Sequence, residues 1–230
     1  KQKRFWRLLL LHFKKVYYFL GALPRFYRTV ITIYIYIKRN LRLVYVLSPL
    51  VWDHRAAADD GPAHDVTVCD LDHDGAVDLF FTGAIGGDGP ARNAVLMAND
   101  TGFELAVDHP LAAIEGVNTA LWGDIDNDGL TDVYLCRRGP NQLWQQIEGG
   151  TWREITAATG TAGGDLESVD GALCDADHDG DLDIFVVNSN GANELFNNNR
   201  DGSFRPLAAG SGLAGPGASR AVLAADLDAD

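Results

Sequence analysis

Carboxylates recur in this chain at spacings that build an oxygen cage. DLDHDGAVD starts at Asp70, DIDNDGLTD at Asp124 and DADHDGDLD at Asp175, and DLDAD runs from Asp226 to Asp230. Aspartates at positions one, three and five of a tight turn aim three carboxylates at one centre, and a set of hard oxygen donors is what a calcium ion takes. The candidate ligands are Asp70, Asp72 and Asp74; Asp124, Asp126 and Asp128; Asp175, Asp177 and Asp179; and Asp226, Asp228 and Asp230. Glycine follows at position six of each complete loop, as Gly75, Gly129 and Gly180, where the chain must bend and a residue without Cβ takes positive φ at little cost. A fourth carboxylate closes each complete loop at position nine: Asp78, Asp132 and Asp183.

Two other uses of clustered acids are weighed and set aside. An EF-hand loop shares positions one, three, five and six but needs a bidentate Glu at position twelve, which here is Phe81, Leu135 or Val186. Glycosidases use two nearby carboxylates as acid and base, yet a catalytic pair is unique in its chain and these clusters are copies of one another. Without a G-x-S-x-G, H-E-x-x-H or P-loop motif either, the reading is a protein that is not an enzyme.

The elements that position the loops follow from what flanks them. Leu79–Thr82, Val133–Cys136 and Ile184–Val187 are β-branched and aromatic runs that read as buried strands. An asparagine-led segment comes next, at Asn93, Asn141 and Asn193, then a glycine turn and an aromatic residue: NDTGF to Phe103, EGGTW to Trp152, RDGSF to Phe204. First aspartates fall 54, 51 and 51 residues apart, at 70, 124, 175 and 226, a period that signals a repeat architecture. The unit is strand, acidic loop, strand, strand, hairpin, strand. The expected fold is all-β, a partial β-propeller of four-stranded antiparallel blades, with three blades and the opening of a fourth.

Residues 55–230 resemble the FG-GAP/VCBS repeats of integrin-α-type β-propellers, and the segments Asn141–Thr161 and Asn193–Leu213 are similar to the cartilage acidic protein (ASPIC/UnbV) group. The resemblance implies calcium bound through the side chains at positions one, three, five and nine and the backbone carbonyl at position seven, here Ala76, Leu130 and Asp181. It also implies a ring of about seven blades. The expectation is therefore a fragment of a larger interaction or adhesion protein, extracellular or at the cell surface, or periplasmic in a bacterium. The alternative is a substrate-binding propeller portion of a larger polysaccharide-acting enzyme.

Charge divides the chain. Residues 1–50 hold eleven of the 19 basic residues and none of the 32 acidic ones, and sixteen of those 32 lie in the acidic loops. Crowded carboxylates repel one another and a bound cation reverses the sign, so the acidity points to metal; with no basic stripe to track phosphates, nucleic acid is disfavoured as a partner. Residues 1–54 form a basic, aromatic-rich segment whose uncharged stretches are too short to span a bilayer as a helix, so membrane contact is expected only through residues 1–50. Cys69, Cys136 and Cys174 lack zinc-site spacing and read as small buried apolar groups, and His73 and His178 fall at loop position four, where Asn127 and Ala229 also occur. The remaining partners are a protein or carbohydrate ligand and further propeller blades. The glycine-rich connection Ala84–Pro90, with Arg137 and Arg138 one blade on, is the expected ligand surface, away from the loops.

Overall fold

A computed structural model describes residues 65–85, 91–100, 102–207 and 218–225, with Ile85 by its backbone alone. Asp226, Asp228 and Asp230, residues 1–54 and most of the 84–90 connection lie outside the described residues.

Each acidic loop joins the first two strands of a four-stranded antiparallel sheet. In the first blade these strands are β1 (Val66–Cys69), β2 (Asp78–Ile85), β3 (Arg92–Asn99) and β4 (Gly102–Leu105). The second holds β5 (Val117–Gly123), β6 (Asp132–Arg137), β7 (Gln142–Ile147) and β8 (Thr151–Glu154). The third holds β9 (Ser168–Cys174), β10 (Asp183–Asn188), β11 (Glu194–Asn198) and β12 (Phe204–Pro206). Strands lie side by side in chain order within each sheet. The expected apolar runs form the middle of β2, β6 and β10, where Phe80, Val133, Tyr134, Leu135, Ile184 and Val186 are fully buried. This is the repeated-blade architecture that the sequence implies, and the three blades are part of a propeller.

Pairing sets which connections share an end. Cys69 faces Asp78 and Asn99 faces Gly102, whereas Ile85 faces Arg92 at the other end of the sheet. Acidic loops and β3–β4 type hairpins therefore lie at one end, and β2–β3 type connections at the opposite one. The leading asparagine closes that second end. Asn93 Oδ1 accepts from the Gly83 N–H at 3.3 Å, Asn141 Oδ1 from Arg137 N–H at 2.9 Å, and Asn193 Oδ1 from Asn188 N–H at 3.1 Å. A carboxamide here satisfies a backbone donor that a bent connection leaves without a ladder partner.

Apolar contact between blades forms the core. One cluster joins Phe80 and Val95 of the first blade to Val117, Val133 and Leu135 of the second; another joins Tyr134 and Leu143 of the second to Ile184, Val186 and Phe196 of the third. The residue two places before the second and the third loop, Trp122 and Leu173, faces the preceding blade. Trp122 meets Phe80 edge-on at 5.3 Å, and its indole N–H donates to Thr67 Oγ1 at 2.7 Å. Leu173 and Leu182 press so closely on Gly123 that a Cβ there would lie 2.8 Å from each, which explains a small residue immediately before that loop.

Two short turns were not expected from the strand pattern. Pro110–Ala113 is a 3-10 turn whose N-cap His109 accepts the Leu111 N–H on Nδ1 at 3.3 Å. Helix α1 (Thr156–Thr159) ends on Gly160 in the left-handed region, φ 71°. The glycine after Thr-Ala-Ala-Thr was the available signal.

Two outcomes follow from this packing. A Cβ on Gly171 would lie 2.6 Å from the Phe185 carbonyl and 2.7 Å from Leu121 Cδ1, whereas one on Gly164 meets nothing nearer than 3.5 Å. Gly171→Ala should cost about 1–3 kcal/mol in urea unfolding and Gly164→Ala almost nothing; equal midpoints would contradict the close approach. Burial against the core, with the ring edge-on to Trp152 at 5.8 Å, pushes His109 down to about 4 from 6.5. The unfolded chain then binds the extra proton between those values, so stability is fully present above pH 6.5 and is lost as pH falls toward 4. His109→Gln should flatten that part of the stability-against-pH curve; an unchanged slope would show that His109 does not cause it.

Candidate metal centre

Backbone N–H groups organise each acidic loop. The first aspartate takes two of them: Asp70 accepts from Asp74 N–H at 3.2 Å and Gly75 N–H at 3.0 Å. Asp124 accepts from Asp128 and Gly129 at 3.1 and 2.9 Å, and Asp175 from Asp179 and Gly180 at 3.0 Å each. The fifth aspartate accepts the position-seven N–H, as in Asp74 with Ala76 at 2.7 Å, Asp128 with Leu130 at 2.8 Å and Asp179 with Asp181 at 3.1 Å. These are Asx-type turns, and they anchor position seven, the residue whose carbonyl the resemblance nominates, through its N–H. The position-six glycines have φ of 84°, 87° and 95°, as the motif requires.

The ninth aspartate is built in more deeply. Asp78, Asp132 and Asp183 are 1%, 2% and 0% exposed, which decides that their carboxylates need partners. One oxygen accepts the position-two N–H: Leu71 at 2.7 Å, Ile125 at 3.1 Å, Ala176 at 2.9 Å. The other accepts from the third strand of the same blade: Ala98 at 2.6 Å, Gln146 at 2.9 Å, Asn198 at 2.8 Å. A carboxylate offers about four lone-pair sites, so two N–H bonds leave capacity for a cation.

Positions one, three and nine come together. Candidate ligand atoms of Asp70, Asp72 and Asp78 lie within 4.8 Å of one another, as do those of Asp124, Asp126 and Asp132 and those of Asp175, Asp177 and Asp183. Position five, as Asp74, Asp128 and Asp179, stands beside these groups and is turned by its bond to position seven. Burial, reinforced by neighbouring aspartates, raises Asp78 and Asp126 and pushes Asp132 up to about 7. Each is a carboxylate desolvated among like charges, and a divalent cation at the centre would reverse the effect. The three groups present oxygen donors alone, which suits a hard cation such as calcium.

Position four obeys a constraint that the spacing does not reveal. His73, Asn127 and His178 have φ of 59°, 61° and 63°, a left-handed conformation in which Asn and His are over-represented among residues other than glycine. Among the described residues the three converging groups hold aspartates alone, and burial raises the Cys69 thiol to about 11 and also raises Cys136 and Cys174.

Four carboxamides at the loop end were missed by sequence reading. Gln145 donates to Asp126 Oδ2, and Asn197 donates to Asp177 Oδ2 at 2.7 Å, holding the third-position carboxylates of their own blades. Gln146 and Asn198 reach the preceding blade, where their Nδ2 or Nε2 groups donate to Leu71 O at 2.6 Å and Ile125 O at 2.9 Å. The signal was available: Gln-Gln and Asn-Asn stand where the first blade has Met97-Ala98. Asp181, nominated for its carbonyl, spends its buried side chain on Asn127 Nδ2 at 2.6 Å and Arg200 Nε at 2.6 Å.

With three such loops in register, the comparison with known repeats is direct. The FG-GAP-like repeat matches residues 70–135, 124–186 and 175–230. The chain belongs to this family. Each FG-GAP-like match begins at the first aspartate of a loop, and the first two run into the second strand of the following blade, so the matched unit straddles a blade interface. Cartilage acidic protein 1 of Xenopus tropicalis is 35% identical over 112 residues, 47% of this chain. That stretch is 17% of the relative, so the chain spans a minor part of its length.

The ninth aspartate of an FG-GAP-like loop should thus matter without any metal. Asp132→Ala leaves the N–H groups of Ile125 and Gln146 buried and unpaired, at about 1–3 kcal/mol for each group. In chelator, Asp132→Ala should lower the unfolding midpoint far more than the exposed Asp126→Ala. Equal losses would refute a structural role for the closing carboxylate.

Proposed function

We propose that this chain is a calcium-stabilised, non-enzymatic interaction module, with one calcium ion held in each complete acidic loop. The observation that carries this reading is the convergence of positions one, three and nine in all three blades. The proposed ligands are the side chains of Asp70, Asp72, Asp74 and Asp78; Asp124, Asp126, Asp128 and Asp132; and Asp175, Asp177, Asp179 and Asp183, with the carbonyls of Ala76, Leu130 and Asp181. Asp226, Asp228 and Asp230 open a further site of the same kind. The cations neutralise crowded carboxylates and hold the loop ends of adjacent blades, leaving the rigid stack as a platform.

The partner is a protein or carbohydrate, and the setting is extracellular or at the cell surface. Membership of the FG-GAP-like family supports the interaction role, and similarity to a protein named for cartilage supports the setting. Among the described residues no helix is long and apolar enough to cross a membrane. The end opposite the cages, carrying Arg137 and Arg138, is the proposed contact surface. There Arg137 Nε donates to Glu115 O at 3.0 Å, and Arg138 pairs with Glu167 at 3.4 Å while keeping 47% of its side chain exposed.

Calorimetry with calcium on chelator-stripped protein should give about three sites with Kd of roughly 10⁻⁴–10⁻³ M. At tenfold excess over Kd each site should add about 1.4 kcal/mol to stability, and Asp126→Ala should remove one site's share. A melting temperature indifferent to calcium would sink the proposal.

A further inference from the structure

The three cages are not separate. Gln146 N–H holds Asp132 Oδ1 of its own blade at 2.9 Å, while its side chain holds Leu71 O in the loop of the preceding blade at 2.6 Å. Asn198 repeats the arrangement, with its N–H on Asp183 Oδ1 at 2.8 Å and its Nδ2 on Ile125 O at 2.9 Å. Both residues are buried, 1% and 5% exposed, so these bonds are shielded from water and costly to leave unmade. Loop side chains reach forward as well. His73 Nε2 meets Gln146 Oε1 at 3.1 Å and Thr131 N–H at 3.4 Å, and Asn127 Nδ2 donates to Asp181 Oδ1 at 2.6 Å. The left-handed backbone at position four places those side chains across the interface.

We infer that the cation loops are wired in series through the blade interfaces, with Gln146 and Asn198 as positioning residues for the cage of the preceding blade. This rests on the calcium reading above. Leu71 O and Ile125 O belong to the peptides that lead into Asp72 and Asp126, so holding these carbonyls orients the third-position carboxylate of a loop from the next blade. The same residue holds the closing aspartate of its own cage, so ordering one cage orders its neighbour and the sites bind calcium cooperatively.

The amides of Gly75, Gly129 and Gly180, each bonded to the first carboxylate of its loop at 3.0, 2.9 and 3.0 Å, report the cages one by one by NMR during a calcium titration. In Asn198→Ala the Gly129 midpoint should rise roughly fivefold, the worth of one ordinary hydrogen bond, and Gly75 should move less than twofold. Asn198→Gln, which copies the residue used by the second blade, should recover much of the loss. Asn127→Gly keeps the left-handed backbone on an exposed position and serves if Asn198→Ala does not fold; it should weaken the Gly180 cage, where Asn127 touches only the Asp181 side chain and none of the carboxylates at positions one, three, five and nine. An unshifted Gly129 midpoint in Asn198→Ala, or an unshifted Gly180 midpoint in Asn127→Gly, overturns the wiring. Glycine signals that ignore calcium in the unaltered chain overturn the calcium reading itself, a distinct result.

Discussion

A buried carboxylate with two backbone N–H partners holds each blade to its loop. Asp78, Asp132 and Asp183 accept from the second residue of the loop on one oxygen and from the third strand on the other. The loop would otherwise be a run of exposed polar backbone with four or five like charges in nine residues. Because the ninth side chain points inward, the loop is drawn onto the sheet edge and its first and third carboxylates face the same centre. Desolvation makes the carboxylate at Asp132 unfavourable by itself; both N–H bonds offset part of that cost, and a bound cation would offset more.

The blade interface uses both ends of the sheet. Aromatic and aliphatic packing supplies the bulk of the contact, with Trp122 over Phe80 and Leu173 against Gly123. Area burial is non-directional, and alone it would allow neighbouring blades to slide. Directional bonds set the register: Trp122 to Thr67, Asn118 to Ser168, Asn198 to Ile125. Asn198 to Ile125 lies at the acidic loops, so there the carboxylate cluster and the blade interface share one backbone segment.

The opposite end of the sheets is built differently. Asparagine-capped connections leave the chain free to vary in length there, and the first blade uses that freedom. Its connection runs from Ile85 to Arg92, against Arg137 to Gln142 in the second. Variation in a surface connection costs little stability, so this end can change without disturbing the acidic loops.

Strand identity, blade order, the acidic loops and the position-six glycines were legible in the sequence because each rests on local chemistry: a period-two or apolar run, a D-x-D-x-D-G turn, a residue that must take positive φ. Repetition at 54 and 51 residues multiplied that weak local evidence into a fold. Contacts between residues far apart were not legible. Gln146 and Leu71 are 75 residues apart and Asn198 and Ile125 are 73 apart, and no single-repeat pattern says that a carboxamide in one blade serves the loop of another. The left-handed backbone at His73, Asn127 and His178 was likewise hidden, since two histidines and an asparagine share a conformation rather than a type. The sequence by itself determined which groups carry charge and where the chain turns; tertiary structure alone decided which carboxylates converge and which blade holds them, because stacking brings those backbone donors and acceptors within bonding distance.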